Sequence, residues 1–429
     1  MKVLLVIHDF LPYHAGGSEI ATYRLARGLR RLGIEAELLF TDAHIDREQY
    51  ALSTGTYEGI PFHEVVYNQQ FADFEEMYDD PAMARVFEKV VESVRPDVVH
   101  FESLVVFGFG CVRAAKRRHL PVAVTLHDYY LLCQRSGLLM MEDETLCPDR
   151  TADQCARCME SHPLQPEKYG ADPRAFDRRA VFTKAVERRM ARVRELLPHV
   201  DLFTAPSHFL REMMVKHGLP ADRIVMSDNG YELAPFEATA RARRETTAPL
   251  RLGYIGGLTP WKGVHLLLEA CRALAPEKYR LTLYGDRRWF PDYVARLDQL
   301  AARLPARFGG TYVNHEVARI LSELDAIVVP SVWFENSPMT IHEAALARVP
   351  VIATDLGGMR EFVQDGVNGL LFRRNDVADL AAKLRAIVDE PDRLLRLRVA
   401  CGGDGVKSCE EDASEWRRRY EELVAGARA

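Results

Sequence analysis

No run of apolar residues in this 429-residue chain approaches the ~20 that a membrane-spanning helix needs. Repeats of 20–50 residues and low-complexity tracts are also missing, which excludes solenoids, propellers and tail-like binding segments. Neither sign of charge dominates: 56 Lys and Arg stand against 62 Asp and Glu, a net charge of −6. That balance gives no whole-protein reason to bind nucleic acid. The opening MKVLLVIHDF has only a five-residue apolar run before His8-Asp9, short for a secretory signal and right for a first buried strand. We therefore expect a cytoplasmic protein, with peripheral contact at the inner face of the membrane as the variant.

What is present is ordinary for a soluble globular chain: 48% hydrophobic and 28% charged residues, in a length too great for one core. Apolar strands alternate with helical stretches twice over. The first series is VLLVI (3–7), AELLF (36–40), DVVHF (97–101), PVAVTLH (121–127), DLFTAP (201–206) and RIVMSDNG (223–230). After a polar stretch, TARARRETTAP, which reads as a linker, come LRLGYIG, YRLTLYG, DAIVVP, PVIATD and GLLF. Repeated strand–helix–strand units imply α/β architecture with parallel sheets covered on both faces. Ligands of such sheets bind beyond the carboxyl ends of the strands.

The densest chemistry lies in WFENSPMTIHEAALARVPVIATDLGGMREFVQDGVNG, Trp333 to Gly369. Glu335 and Glu343 stand with seven residues between them, and Ser337-Pro338 reads as a helix start. Ser337 would be the N-cap and Pro338 the first helical position, with the helix running Met339 to Arg348. The strand VPVIATD follows. Gly357-Gly358 then opens a second helix, Met359 to Gln364, carrying Glu361. A helix N-terminus offers unpaired N–H groups and about half a positive charge, which suits a phosphate. A carboxylate at that mouth suits sugar hydroxyls. Together these point to a nucleotide sugar.

This ordered set resembles the retaining, family 4 type of glycosyltransferase: a Glu, seven residues, a second Glu on the next helix, a strand, and Gly-Gly-x-x-Glu. The resemblance implies two facing Rossmann-like domains (GT-B) with the active site in the cleft between them. We expect an acceptor-side domain over residues 1–240, with a Cys-rich insertion at about 129–172. The nucleotide-sugar domain would cover 248–404, and a C-terminal helix in 405–429 (Glu411 to Gly426) would cross back to the first domain. In a bare form the Glu-x7-Glu spacing is common on exposed helices; the order of its companions makes the motif specific.

Further candidates sit at strand ends. Gly16-Gly17 stand where a helix begins, letting backbone approach a phosphate or sugar; alone they could be a tight turn. GYIGGLTPWKGV matches the family's Gly-x5-Lys-Gly element, so Lys262 would neutralise the departing diphosphate. Read alone, Lys262 could be a solvated surface lysine. Many relatives carry an arginine where this chain has Gly257, so Arg360, Arg287 or Arg288 would have to substitute, or the clamp is weaker. His127 ends the strand PVAVTLH; a lone histidine there is commonly structural, but the family places one beside the donor sugar. Asn229-Gly230 resembles a turn at the domain junction and reads as structural.

The resemblance implies a reaction needing no catalytic metal. Glu335 would hold the sugar hydroxyls, Glu343 the ribose, and Lys262 with the helix mouth the diphosphate. The donor-binding set is then Gly16, Gly17, Gly257, Lys262, Glu335, Asn336, Ser337, Pro338, Met339 and Glu343. His127, Glu335 and Lys262 form the catalytic set. The acceptor would be a carbohydrate or glycolipid of a surface polysaccharide pathway. A glycogen- or starch-synthase-like role is the alternative within enzymes, against which the usual Lys-x-Gly-Gly is missing. A catalytically dead sugar-nucleotide binder is the alternative outside them, with Gly257 its only support.

Of eight cysteines, Cys133, Cys147, Cys155 and Cys158 cluster within 26 positions, the last pair as Cys-x2-Cys. Soft ligands so grouped match a closed tetrahedral structural zinc; free thiols and a disulfide are the alternatives. Cys111, Cys271, Cys401 and Cys409 are scattered. Finally, Arg174 to Arg194 holds seven arginines and one lysine against Asp177 and Glu187. Phe182, Val186, Met190, Val193 and Leu197 form an apolar stripe at helical spacing, flanked by Arg174, Arg178, Arg188, Arg189 and Arg192. Such a flank is either a solvated face or a dock for anionic lipid or an acidic acceptor.

Overall fold

The computed structural model describes residues 1–71, 73–135, 137–141, 143–160, 178–241 and 249–428. The chain forms two compact units, one from Met1–Gly230 with Cys409–Ala429 and the other from Tyr231–Ser408.

The first unit is built on eight strands: β1 (Lys2–Val6), β2 (Glu35–Asp42), β3 (Leu52–Tyr57), β4 (Ile60–Val66), β5 (Val98–Phe101), β6 (Val122–Thr125), β7 (Leu202–Ala205) and β8 (Ile224–Met226). Their order is β3-β4-β2-β1-β5-β6-β7-β8, parallel throughout except for the antiparallel β3–β4 pair. The central strands are apolar on both faces because helices cover both, so Val3, Leu4, Leu5 and Val6 are all fully buried. β3 and β4 are joined by Glu58 and Gly59, both with positive φ (46° and 80°), the backbone of a tight two-residue hairpin turn.

The C-terminal helix Cys409–Arg428 belongs to this unit. It lies against the helix Gly17–Arg31 so closely that a Cβ on Gly28 would stand 2.8 Å from that of Ala413. Its Trp416 and Tyr420 join Val3, Leu5, Leu25 and Leu38 in one core. Each such aromatic contributes roughly 1.5–3 kcal/mol by leaving water.

The second unit holds six parallel strands in the order β11-β10-β9-β12-β13-β14: β9 (Leu250–Ile255), β10 (Tyr279–Tyr284), β11 (Ala306–Gly310), β12 (Ala326–Val329), β13 (Val351–Thr354) and β14 (Gly369–Phe372). Asp325, fully buried before β12, accepts from Arg251 (2.9 Å) and Arg398 (3.3 Å), tying β9 to the helix Pro391–Ala400. Tyr231 pairs with Ser408, so the chain enters and leaves this unit side by side.

The division therefore falls at Gly230–Tyr231 and not in the polar stretch read as a linker. Phe236, 4% exposed on the helix Ala234–Arg241, packs into the second core and carries that segment with it. Residues 242–248, the heart of the expected linker, lie outside the described residues, as do residues 161–177 of the cysteine-rich insertion and basic stretch.

Candidate active site

In the second unit the motif residues converge on one carboxylate. Glu335 is 5% exposed, and its Oε1 accepts from three donors: Lys262 Nζ (2.6 Å), Ser331 Oγ (2.6 Å) and Trp333 Nε1 (2.9 Å). Among the described residues none donates to Oε2. Lys262 sits on the short turn Pro260–Lys262, with its ammonium 5.3 Å from the Trp333 ring centroid. An ammonium has three donors, and one goes to Glu335. The pairing cancels the buried charge, which alone would cost several kcal/mol.

Backbone fit explains the neighbouring glycines. Gly263 has φ +68°, and a Cβ there would meet the Pro330 carbonyl oxygen at 2.0 Å. Only glycine lets the Lys262 turn close against the end of β12. Gly358 is tighter still, with a Cβ 1.7 Å from Asn336 O, while its N–H donates to Glu335 O at 2.7 Å. Gly357-Gly358 thus acts as a backbone clamp on the loop that carries Glu335 and Asn336. Arg374 adds a hydrogen bond to Val332 O (2.6 Å) from the other flank. Sequence reasoning gave neither Trp333 nor Arg374 a role.

The following helix is Met339–Leu346, two residues shorter than expected, ending before Arg348 at φ +54°. Pro338, not Ser337, occupies the cap position, because its ψ of 111° is extended and helical geometry starts at Met339. Ser337 Oγ instead pairs with His342 Nε2 at 2.9 Å, and His342 stacks on Tyr231 and meets Phe362 edge-on. No side chain caps this helix, although its Ile341 N–H donates to Pro338 O at 2.9 Å. Glu343, 4% exposed, lies in its second turn, and Tyr312 feels its charge: burial first, then Glu343, raise the phenol above its ordinary range. The second helix is a single turn, Met359–Phe362, rather than reaching Gln364, because Val363 is extended.

Gly257 stands open: a Cβ there would find only Thr259 Cγ2, at 3.6 Å. The three proposed substitutes are engaged elsewhere. Arg360 pairs with Asp355 (2.7 Å), Arg287 with Asp298 (2.7 Å), and Arg288 with Asp286 (2.6 Å).

The first unit gathers acids and histidines beyond its strand ends. His127, just after β6, pairs through Nε2 with Glu102 Oε2 at 2.9 Å. Glu102 is 3% exposed; burial pushes its pKa up, but His100, His127 and Thr125 together hold it below the usual carboxylate range. His100, fully buried, is lowered to about 4 by burial and bonds Tyr420 and Thr125 (2.7 Å each). The candidate histidine is thus oriented by a carboxylate that sequence reasoning missed.

The helix Gly17–Arg31 does begin at the Gly16-Gly17 pair. Its mouth is acidic, however: Glu19 curls back until its Oε2 would stand 2.5 Å from a Gly16 Cβ, accepting from Ser18 Oγ at 3.0 Å. His8, Asp9 and Glu19 each bring a ligand-type atom within 4.8 Å of the others. Burial raises the Asp9 carboxyl, while His8 and His14 draw it down. Such a mouth suits hydroxyls or a cation better than a phosphate.

The cysteine cluster is real as a cluster: Cys133, Cys147, Cys155 and Cys158 line one cavity, all as free thiols. Their expected zinc role is taken up below. The basic stretch is corrected at one position. Arg189 is 2% exposed, donates to Gln134 Oε1 and Tyr130 O, and lies 4.8 Å from the Tyr130 ring centroid, so it is an interior residue. Arg188 and Arg192 both reach Glu75, and Arg179 reaches Asp153 and Glu160. Arg174 lies outside the described residues. No helix of the described residues is long and apolar enough to cross a membrane.

Comparison with known proteins places the chain in a family. The profile described as Glycosyltransferase Family 4 matches residues 15–234, and that of Glycosyl transferases group 1 matches 249–390. The chain is 28% identical over 197 residues to the putative colanic acid biosynthesis glycosyltransferase WcaL of Salmonella typhimurium, covering 44% of this chain and 48% of that one. It therefore spans about half the length of the curated relatives it first matches. A D-inositol 3-phosphate glycosyltransferase from Stackebrandtia nassauensis is 26% identical over 408 residues, 90% of this chain and 82% of that one. Among solved structures, Anabaena HepE in complex with UDP superposes with a TM-score of 0.68 at 18% identity, covering 98% of this chain and 100% of that chain. Sucrose-phosphate synthase from Thermosynechococcus elongatus gives 0.68 at 16%, covering 99% and 100%. At such identities these two speak to the fold alone.

Proposed function

We propose that this chain, which belongs to glycosyltransferase family 4, moves a sugar from a nucleoside-diphosphate donor to a hydroxyl with retention at the anomeric carbon and no catalytic metal. The acceptor would be a carbohydrate or glycolipid of a surface polysaccharide. The observation that carries this reading is the Glu335 carboxylate, with Oε1 held by three donors and Oε2 left to accept from a sugar hydroxyl.

In the proposed reaction the bond from the anomeric carbon to the diphosphate breaks with its electron pair going to the phosphate oxygen. The acceptor oxygen attacks from that same face, and its proton passes to the departing phosphate. Positive charge grows on the sugar and negative charge on the leaving group. Lys262 has two donors beyond the one on Glu335, enough to meet two phosphate oxygens, and the uncapped helix mouth at Met339 supplies backbone N–H groups. Both are fixed before the reaction, so stabilising the leaving charge requires little reorganisation. Glu335 fixes the sugar's position, and Glu343 is assigned the ribose. His127, held by Glu102, is assigned to the sugar in the first unit.

Gly257 removes one cation from this arrangement without closing the space it would occupy. That favours a weaker phosphate clamp over a dead site, since Glu335 still pairs with Lys262, Ser331 and Trp333. A membrane contact through the basic helix has lost Arg189 from its support; salt-sensitive binding to anionic vesicles tests what remains.

The direct test incubates the protein with UDP-, GDP-, ADP- and TDP-sugars and assays the released diphosphate. Release from one of them, undiminished by EDTA, and product of unchanged anomeric configuration by NMR are expected. Loss of turnover on chelation would overturn metal independence and direct attention to His8, Asp9 and Glu19. No release from any donor would favour the binding-only reading.

A further inference from the structure

We propose that Cys133, Cys147, Cys155 and Cys158 bind one zinc ion, closed off from solvent chemistry, in the cavity they line. The four thiols come from three separate segments. Cys133 follows the turn after β6, where its N–H donates to Tyr129 O at 2.7 Å. Cys147 leaves the small hairpin in which Met140 pairs with Leu146, its N–H on Leu139 O at 2.8 Å. Cys155 and Cys158 stand three apart on the helix Ala152–Glu160, hence on one face of it. Chance placement of an unused cysteine would not bring all four of these, and none of the other four, to the same cavity.

The rest of the lining decides the chemistry. It combines apolar side chains (Leu132, Leu139, Met140, Met141) with Gln134 and Gln154, and among the described residues it contains no carboxylate or histidine. It does contain two arginines. Arg135 donates to Cys158 O at 3.2 Å and reaches its Sγ at 3.8 Å, while Arg150 donates to Leu132 O at 3.1 Å. With neutral thiols the described residues of the cavity wall carry two positive charges and no negative one. Four thiolates around Zn²⁺ carry a net charge of −2, which two guanidinium groups balance. A hard cation such as Mg²⁺ prefers carboxylates and water to sulfur, whereas soft thiolates select zinc.

The thiols surround the cavity rather than already touching a common point: the Cys147 Sγ donates to Asp149 O at 2.9 Å. Binding would turn them inwards and release their protons: Zn²⁺ and four thiols give one tetrathiolate complex and four H⁺, so affinity rises with pH. With four protein ligands no position is left for a reactive water. The ion would act as a staple, joining the turn that follows His127 to the helix Ala152–Glu160.

Protein purified without chelator should contain about one zinc per chain. After replacement by Co²⁺ it should show the intense visible bands of tetrahedral cobalt thiolate. Cys155→Ser or Cys158→Ser should remove both signals, whereas Cys401→Ser, outside the cavity, should keep them. If the serine variants do not fold, cobalt titration of the demetallated wild type still decides. Absence of those bands, with the same number of thiols reacting with Ellman's reagent in the presence and absence of Zn²⁺, overturns the site. So does a mass showing disulfides among these four cysteines.

Discussion

The two sets of candidate site residues are wired in opposite ways. In the second unit, Glu335 and Lys262 form a closed, charge-neutral arrangement in which three donors meet a single oxygen and two glycines lock the loop. In the first unit, His8, His14, Asp9, Asp42, Glu19, Glu102 and His127 form an acid-rich and titratable field. Preorganised charge suits a diphosphate that must be received identically in every turnover. An acidic field suits hydroxyls and repels phosphate. The contrast favours the Glu335 loop for the proposed donor chemistry, and hydroxyls rather than phosphate for the Gly16-Gly17 helix mouth.

The largest break in that comparison is Glu335→Ala. It removes the acceptor of three hydrogen bonds, and losing charged hydrogen bonds of roughly 3 kcal/mol in the transition state lowers kcat by about 100-fold or more. A loss below tenfold in steady-state turnover would remove the carboxylate from the proposed chemistry.

Next comes the clamp. Gly358→Ala forces a Cβ into Asn336 O, a backbone atom that cannot swing aside. We expect a stability loss of about 2 kcal/mol or more, read by thermal melting, with turnover falling as the Glu335 loop shifts. The equivalent change at the open Gly33, where nothing lies within 4 Å, sharpens the contrast only through its positive φ.

Acid should affect both units in the same window. His100 in the first unit and His265 in the second are each lowered from 6.5 to about 4, mainly by burial. A depressed histidine binds its proton more readily unfolded, so its stabilising contribution is full above about 6.5 and is lost as pH falls towards 4. The cost is on the order of 3 kcal/mol for each. Glu102, also depressed, adds in the same direction at still lower pH. Melting temperature should be flat from pH 8 to 7 and decline below; stability rising on acidification would contradict these assignments.

A smaller, opposite effect is expected from Gly257→Arg. The open position accepts a side chain, and an added cation should tighten free nucleoside diphosphate by about three- to tenfold, roughly 0.7–1.4 kcal/mol, with little change in stability. Unchanged affinity in a titration would mean that the position does not face the phosphates.

Much of this was legible in the sequence, and the reasons differ by element. The buried parallel strands announce themselves as apolar runs, because both faces are covered. β3, β4 and β11 did not: LSTGTY is half exposed at a sheet edge, IPFHEVV has its apolar run broken by His63-Glu64, and ARFGG ends in glycines. The Glu-x7-Glu spacing and the Gly-Gly pair could be read because they are local. The bond from Lys262 to Glu335 spans 73 positions, and the Glu102 partner of His127 precedes it by 25, so neither distance is encoded in a motif. Arg189 misled for a physical reason: periodicity puts it beside the apolar stripe, but only packing shows its guanidinium among Tyr78, Phe109 and Tyr130.

The central claim is that Glu335 meets the sugar while Glu343 holds the nucleotide. Calorimetry of Glu335→Ala and Glu343→Ala with the diphosphate product, which carries no sugar, tests it most directly. The account predicts that Glu343→Ala weakens the diphosphate by about 10–150-fold, the loss of a charged hydrogen bond worth about 1.5–3 kcal/mol. Glu335→Ala should bind it nearly as well as wild type. Equal losses in the two folded variants would contradict the division of roles.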